Sequence, residues 1–269
     1  KVETIRPWNN YTIVTLEGHG GDEMAAGYDY YIGSFLLDIV KSRGAIGMHE
    51  EFNKIALIRG LKEERMLSFF ANGLEAYFRG GVSADASRFA NLDCLDKKFL
   101  DSKFPFPDFE RPFDSYLSNF QYRELMHTKL PRVLRSVDRE SMAYGRELRV
   151  PLLDHRLVEF AFSLPINQRI RDGHQRFFMR NAASGLLPKE IAQIPKRSAP
   201  FPQSAWFQKE LKSWVLGMLS SKSFGSRKYF NQKKILGEYK RFCGIENPRN
   251  SFHIWQWLSI ELWLRTFID

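Results

Sequence analysis

The chain has 269 residues, of which 43% are hydrophobic and 26% charged, enough for one large domain or two small ones; this composition excludes disordered, collagenous and low-complexity classes. No apolar run reaches the roughly 18 residues a membrane span needs, and two cysteines, Cys94 and Cys243, build neither a disulfide framework nor a metal pair. The expectation is a reduced, cytoplasmic protein with both thiols packed among Phe and Leu. The net charge of +9 is uneven: Pro131 to Arg197 holds 13 basic residues against 7 acids, six of the nine excess charges. Such a field suits a phosphorylated ligand, nucleic acid or an acidic partner, and equally a solvated basic face.

Lys1–Asn10 has no initiator Met and no signal-peptide order, which reads as a chain cut from a longer one. Tyr11–Leu16 is a compact β-branched run ending at Glu17-Gly18 and predicts one buried strand. From Asp22 to Val40 the pattern turns helical, with Met24, Tyr28, Tyr31, Phe35 and Ile39 at steps of three and four. Further helices are predicted over Glu51–Arg59, Glu63–Phe78, Asp114–Lys129, Leu130–Gly145, Arg156–Ser163, Gln175–Gly185, Ser204–Leu219, Lys233–Phe242 and Ser251–Phe267. Glycines and prolines separate them, Gly44, Gly60, Pro165 and Pro188 among them.

One strand among some ten helices is a physical problem, because an unpaired strand leaves two rows of backbone groups to satisfy. A strand, a Gly-rich turn and a helix form one βα unit of a parallel sheet. The partner strands are therefore expected upstream of Lys1 or on another chain. Residues 1–45 then read as the last βα unit of a nucleotide-binding sheet and 46–269 as a helical module.

Between strand and helix stands Leu16-Glu17-Gly18-His19-Gly20-Gly21-Asp22-Glu23. Its glycines let the backbone approach an anion, and the following helix start turns free N–H groups toward it. Asp22 and Glu23 add negative charge there, a conflict that Mg²⁺ bridging carboxylate and phosphate resolves. The same pattern also describes a plain helix start, capped by Asp22 with Glu23 on its dipole.

Glu17–Tyr28 (EGHGGDEMAAGY) resembles the S-G-x-G-x-D-E-x-x-x-G-Y segment of the asparagine synthetase family. Leu130–Pro165 (LPRVLRSVDRESMAYGRELRVPLLDHRLVEFAFSLP) is similar to its long helical block, and Leu187–Trp206 (LPKEIAQIPKRSAPFPQSAW) to its L-P…K…F-x-x-P…W segment. The three follow one another in the family's order.

That resemblance implies a mainly α chain with one or few strands, the C-terminal portion of an α/β pyrophosphatase-type (adenine nucleotide α-hydrolase-like) synthetase domain. It implies an ATP- and Mg²⁺-dependent carbon–nitrogen ligase: a carboxylate such as aspartate is adenylated, and ammonia or an amine then displaces AMP. By position, Glu17 and Gly18 match the family's ATP-contacting Ser-Gly pair, with Gly20 and Gly21 completing the turn. His19 stands where the family forms the adenylate, Asp22 matches its metal-contacting Asp with Glu23 beside it, and Lys196 matches the lysine on the phosphates. An ammonium there offsets charge on the departing pyrophosphate. Arg197 reads as solvated.

Two positions depart from the pattern. Glu17 replaces a small hydroxyl residue, and His19 replaces Gln or Glu, placing a group that titrates near neutrality where an amine could lose a proton. The Ser-Gly-Gly-x-Asp-Ser loop and the glutaminase cysteine are not among these residues. The chain alone is thus expected to bind ATP poorly and not to catalyse, with upstream glutaminase and pyrophosphate-loop segments as its partners. Two other readings are a non-catalytic interaction module on the same scaffold and, ranked last, a nucleic-acid binder, since only Tyr144 interleaves the arginines from Arg132 to Arg156.

Charged residues from Asp138 to Arg156 alternate in sign and predict a buried ionic lattice, with Met142 and Ala143 in the core. His155 reads as a hydrogen-bonding residue. His49, His127, His174 and His253 lack ligand-type neighbours, so no zinc site is expected.

Overall fold

The computed structural model describes residues 13–78, 91–100, 109–194, 202–246, 248 and 251–269. Within them the chain is mainly helical with few, short strands. It divides into two compact units, Lys1–Ala84 with Pro107–Arg197 and Asp85–Phe106 with Ser198–Asp269. This division differs from the expected boundary after residue 45, which falls inside a helix of the first unit.

The first unit opens with β1 (Val14–Leu16); Leu16, and Ile13 just before the strand, are exposed, which does not match the expected burial. β1 also has a partner inside the chain: it pairs in parallel with β2 (Glu147–Arg149), Val14 opposite Glu147 and Leu16 opposite Arg149. Three residues of mixed polarity carry too little periodicity to reveal β2 in sequence; the ladder identifies it. Glu17 N–H extends it by donating to the Arg149 carbonyl.

The helix expected over Asp22–Val40 is interrupted. One turn, α1 (Gly21–Met24), is followed by a bend, and α2 (Tyr31–Arg59) resumes. The bend has a local cause: Ala26 takes φ 54°, and Gln175 Nε2 donates to the Ala26 and Tyr28 carbonyls at 2.8 Å. A side-chain amide thus replaces the bonds a continuous helix would supply. Of the predicted apolar stripe, Met24, Tyr31, Phe35 and Ile39 lie inside, while Tyr28 is half-buried. Gly44, with φ 70° and ψ −171°, kinks α2, and left-handed Gly60 ends it.

α3 (Glu63–Phe78) packs on α2, as does α4 (Tyr116–Met126). Asp38 of α2 holds the start of α4, accepting from Ser115 Oγ and from the Tyr116 and Leu117 N–H groups at 2.7–2.9 Å. Phe120 joins Tyr31, Phe35 and Ile55 in the core. α5 (Lys129–Met142) leads into β2. Met142 is 54% exposed and Ala143 is exposed too, so neither is core; Val137 and Ser141 face inward instead.

The expected buried lattice is also absent among the described residues. Glu147 pairs with Arg149 and Asp154 with Arg156, both in the open. Residues two apart satisfy each other locally and leave nothing for a long-range network. After a 3₁₀ turn at Pro151–Leu153 come α6 (His155–Ser163), the ribbon β3 (Ile170–Arg171) with β4 (His174–Gln175), α7 (Phe177–Ala183) and α8 (Lys189–Gln193).

The second unit is a small helical assembly around Phe207, Val215, Phe224, Phe230, Tyr239, Phe242, Ile254 and Trp257. The helix expected over Ser204–Leu219 is two, α9 (Gln203–Gln208) and α10 (Lys212–Leu219), broken where Lys209 leaves helical geometry. α11 (Lys222–Ser226), α12 (Gln232–Gly244) and α13 (Phe252–Phe267) complete it. Cys94 is buried, and burial pushes its thiol up to about 11. No described helix is long and apolar enough to cross a membrane.

Candidate functional site

Gly20 takes φ 90°, the left-handed region that favours glycine, and so turns the chain from β1 into α1. A Cβ there would stand 2.1 Å from Leu153 Cδ2, and one on Gly21 would stand 2.9 Å from Leu152 Cδ1. Gly20 is therefore fixed by its left-handed backbone and by the close approach of Leu153, whereas at Gly21 the near atom is the movable end of Leu152. The packing joins two sequence segments more than 130 residues apart, and neither one's composition announces it. Gly18 has only a distant neighbour and is exposed.

The charged residues of the corner divide into two groups. Glu17 Oε2 lies 2.7 Å from His19 Nδ1; the contact is short but angled, since that nitrogen makes no well-directed hydrogen bond. Asp22 turns back under the bend, its Oδ1 occupying the space a side chain on Gly27 would need. It does not cap α1, whose cap residue is Gly20. The Arg176 guanidinium comes within 3.5 Å of Asp22 Oδ1. Arg176 is itself held in a left-handed conformation, φ 58°, with its N–H donating to the Ala25 carbonyl. No sequence pattern marks it, because tertiary folding alone brings it to the corner.

Glu23 is buried and accepts a 2.9 Å bond from Tyr28 Oη. Burial pushes the Tyr28 phenol well up, and the Glu23 and Asp22 carboxylates push it further, so it stays a neutral donor. Tyr28 stacks on Tyr30, whose hydroxyl donates to Glu124 and accepts from Lys129.

Beneath α1, Gln121 Nε2 donates to the Glu23 carbonyl at 2.6 Å, and Gln121 Oε1 accepts from Arg169 Nη1 at 2.8 Å. Arg169 is 1% exposed, and its other bonds go to Ser118 Oγ and the Ala161, Phe162 and Leu164 carbonyls. All five of its N–H bonds thus end on neutral oxygens. Burial lowers it to about 10, still charged at neutral pH. Part of the basic segment is therefore internal scaffolding, neither ligand field nor solvated face.

Glu17, Gly18, His19, Gly20, Gly21, Asp22 and Glu23 thus share one corner, while Lys196 and Arg197 lie outside the described residues. Among the described residues no group of three His, Cys, Asp or Glu side chains could hold a metal. One carboxylate with phosphate oxygens suffices for Mg²⁺; Asp22 is the corner's candidate, with its Oδ1 already buried beside Gly27 and Arg176. Glu23 is already engaged by Tyr28.

The chain matches the family model described as asparagine synthase over residues 9–265. Across 264 residues, 94% of the chain, it is 24% identical to asparagine synthetase (glutamine-hydrolyzing) 1 of Bacillus subtilis, covering 40% of that protein. Over 69 residues, 24% of the chain, it is 46% identical to the asparagine synthetase (glutamine-hydrolyzing) of Gallus gallus and 48% identical to that of Rattus norvegicus, 12% of each. The chain spans about two fifths of the first of these relatives.

Proposed function

This chain belongs to the asparagine synthase family, and from that premise we propose that it is the C-terminal part of an ATP-dependent, amide-forming synthetase of pyrophosphatase-type fold. A carboxylate, aspartate or a related acid, attacks the α-phosphorus of ATP and releases pyrophosphate. A nitrogen nucleophile then attacks the acyl carbon and AMP leaves. The observation that carries this reading is the glycine corner locked on Leu152 and Leu153, with Asp22 and Arg176 side by side at its end.

In this reading Gly18, Gly20 and Gly21 keep the backbone bare beside the nucleotide, and Glu17 lines it. Asp22 would hold Mg²⁺, whose charge would offset that of the pyrophosphate oxygens. Glu23, through Tyr28, supplies negative charge from behind. Arg176 and Lys196 are the cations for the phosphates. Upstream pyrophosphate-loop and glutaminase segments of the same protein complete the site in the cytoplasm.

In the full-length protein a candidate acid should stimulate ATP–pyrophosphate exchange, and Lys196→Ala should abolish it. Exchange that persists in Lys196→Ala removes that lysine from the mechanism; no exchange with any acid removes the reading.

A further inference from the structure

Three guanidinium groups gather around Gln175 and the start of α7, and they are neutralised unequally. Arg59 pairs with Asp29, and Arg176 lies beside Asp22. Arg180 has no carboxylate partner among the described residues. Its Nε donates to the Gln175 carbonyl at 2.7 Å, its Nη2 to the Ile194 carbonyl at 2.8 Å and its Nη1 to the Ala192 carbonyl. Those bonds fix the planar fork, leave two of its five N–H groups over and do nothing to offset its charge. Partial burial, with the Arg176 and Arg59 charges adding to it, disfavours that charge. A cation so placed is stabilised by an anion that comes to it.

Arg180 stands in the wall of a cavity of about 350 Å³ between α7 and α8, a volume within the range of small-molecule sites. Lys189 supplies a second cation, and no Asp or Glu lines the space. The Lys189 ammonium, the Asn181 amide and the Ser184 hydroxyl make no side-chain bond among the described residues. Phe177 and Leu187 form an apolar side, the Phe177 ring being held by the Arg171 guanidinium at 5.2 Å. His174 also borders the cavity; burial and then Arg180 lower it, so its imidazole is neutral at neutral pH. Asp172, which acts on His174 in the opposite sense, is shared between Lys54 and Arg171.

An inorganic phosphate ion would occupy a small part of this volume and leave Phe177 and Leu187 unused. We propose that the cavity binds an organic phosphate of mononucleotide size, its phosphate between Arg180 and Lys189 and its planar ring against Phe177 and Leu187. Hydroxyls of the connecting sugar then meet Asn181 and Ser184. Two cations with no competing carboxylate suit a dianion, and the fork of Arg180 can give it two parallel N–H bonds. None of these residues belongs to the corner between β1 and α1, so this ligand is not the ATP assigned there.

The test titrates full-length protein with AMP, UMP, adenosine and inorganic phosphate while hydrogen exchange is followed in the segment from Asn181 to Ala192, which reads this cavity and not the corner. AMP and UMP should both slow exchange there, at similar concentrations, because the apolar side meets a flat face and reads no ring edge. Adenosine and inorganic phosphate should each need at least ~10-fold more, one lacking the charge and the other the ring. Lys189→Gln should weaken both nucleotides by ~10-fold and leave acid-stimulated pyrophosphate exchange near wild type. Lys189 is exposed, so this variant keeps the fold even where a change at Arg180 would not. Phe177→Leu should weaken the nucleotides and leave inorganic phosphate unchanged.

No slowing in this segment with either nucleotide at about 10 mM overturns the site. Protection that neither Lys189→Gln nor Phe177→Leu moves overturns it as well. Adenosine as effective as AMP removes the phosphate from the assignment, and inorganic phosphate as effective as AMP removes the ring; either result defeats it.

Discussion

The two units bury their polar groups differently. Around the corner, Glu23, Asp38, Gln121, Glu124, Arg169 and Gln175 are all buried, and most bond backbone atoms of a different element. In the second unit, Glu261 is the buried carboxylate among the described residues, and Arg227, Arg265 and Ser223 enclose it. Its core is otherwise aromatic and aliphatic, with Phe224 stacked on Phe230 at 5.0 Å. Apolar packing specifies volume, whereas hydrogen bonds specify direction. The unit that carries the corner spends buried polar groups on holding non-helical backbone, and the other closes its one carboxylate into a local clasp.

Arg169→Met should show the largest effect. It keeps much of the volume but strands five acceptors, and about 3–5 kcal/mol of stability should be lost in urea unfolding. Hydrogen exchange should locate the loss in α1, α4 and the end of α6. A loss below about 1 kcal/mol would mean that this network directs nothing.

Gly20→Ala should cost about 2 kcal/mol, from the left-handed backbone and the collision with Leu153. Leu153→Ala made alongside should return the collision part only, so the two costs should not add. Additive costs would show that the glycine corner and the Pro151–Leu153 turn do not meet.

The smallest effect belongs to the clasp. Burial pushes the Glu261 carboxyl up, but bonds from Arg227, Arg265 and Ser223 outweigh it and hold it below its ordinary value. A depressed folded-state value gives stability that is present above the unfolded value of about 4.3 and is lost as pH falls through the folded one. Glu261→Gln should cost about 1–2 kcal/mol at neutral pH and flatten that acid limb, read by tryptophan fluorescence, since Trp257 packs in the same core. An acid limb unchanged in Glu261→Gln would assign it elsewhere.

Much of the helical layout was legible. Glu63–Phe78 coincides with its helix, and Ser251–Phe267 and Arg156–Ser163 start within a residue of theirs. Periodicity carries that information because each stripe faces a core. The bend after α1 was not legible, since Gln175 causes it from 147 residues along the chain. Exposure of Met142 was likewise hidden: helical spacing names a stripe without saying whether anything lies against it.

Of the corner, residue types and order were visible in sequence, and so were the departures at Glu17 and His19. Their contact, the reason for Gly20, and the arrival of Arg176 were not.

By itself the sequence determined where backbone could be helical and where glycine had to interrupt it, because period and Cβ sterics act over a few residues. Only the tertiary structure decided which charges are buried, which carboxylate meets which cation and which strand β1 pairs with. Those outcomes depend on desolvation and distance between residues far apart in the chain, and no local pattern encodes them.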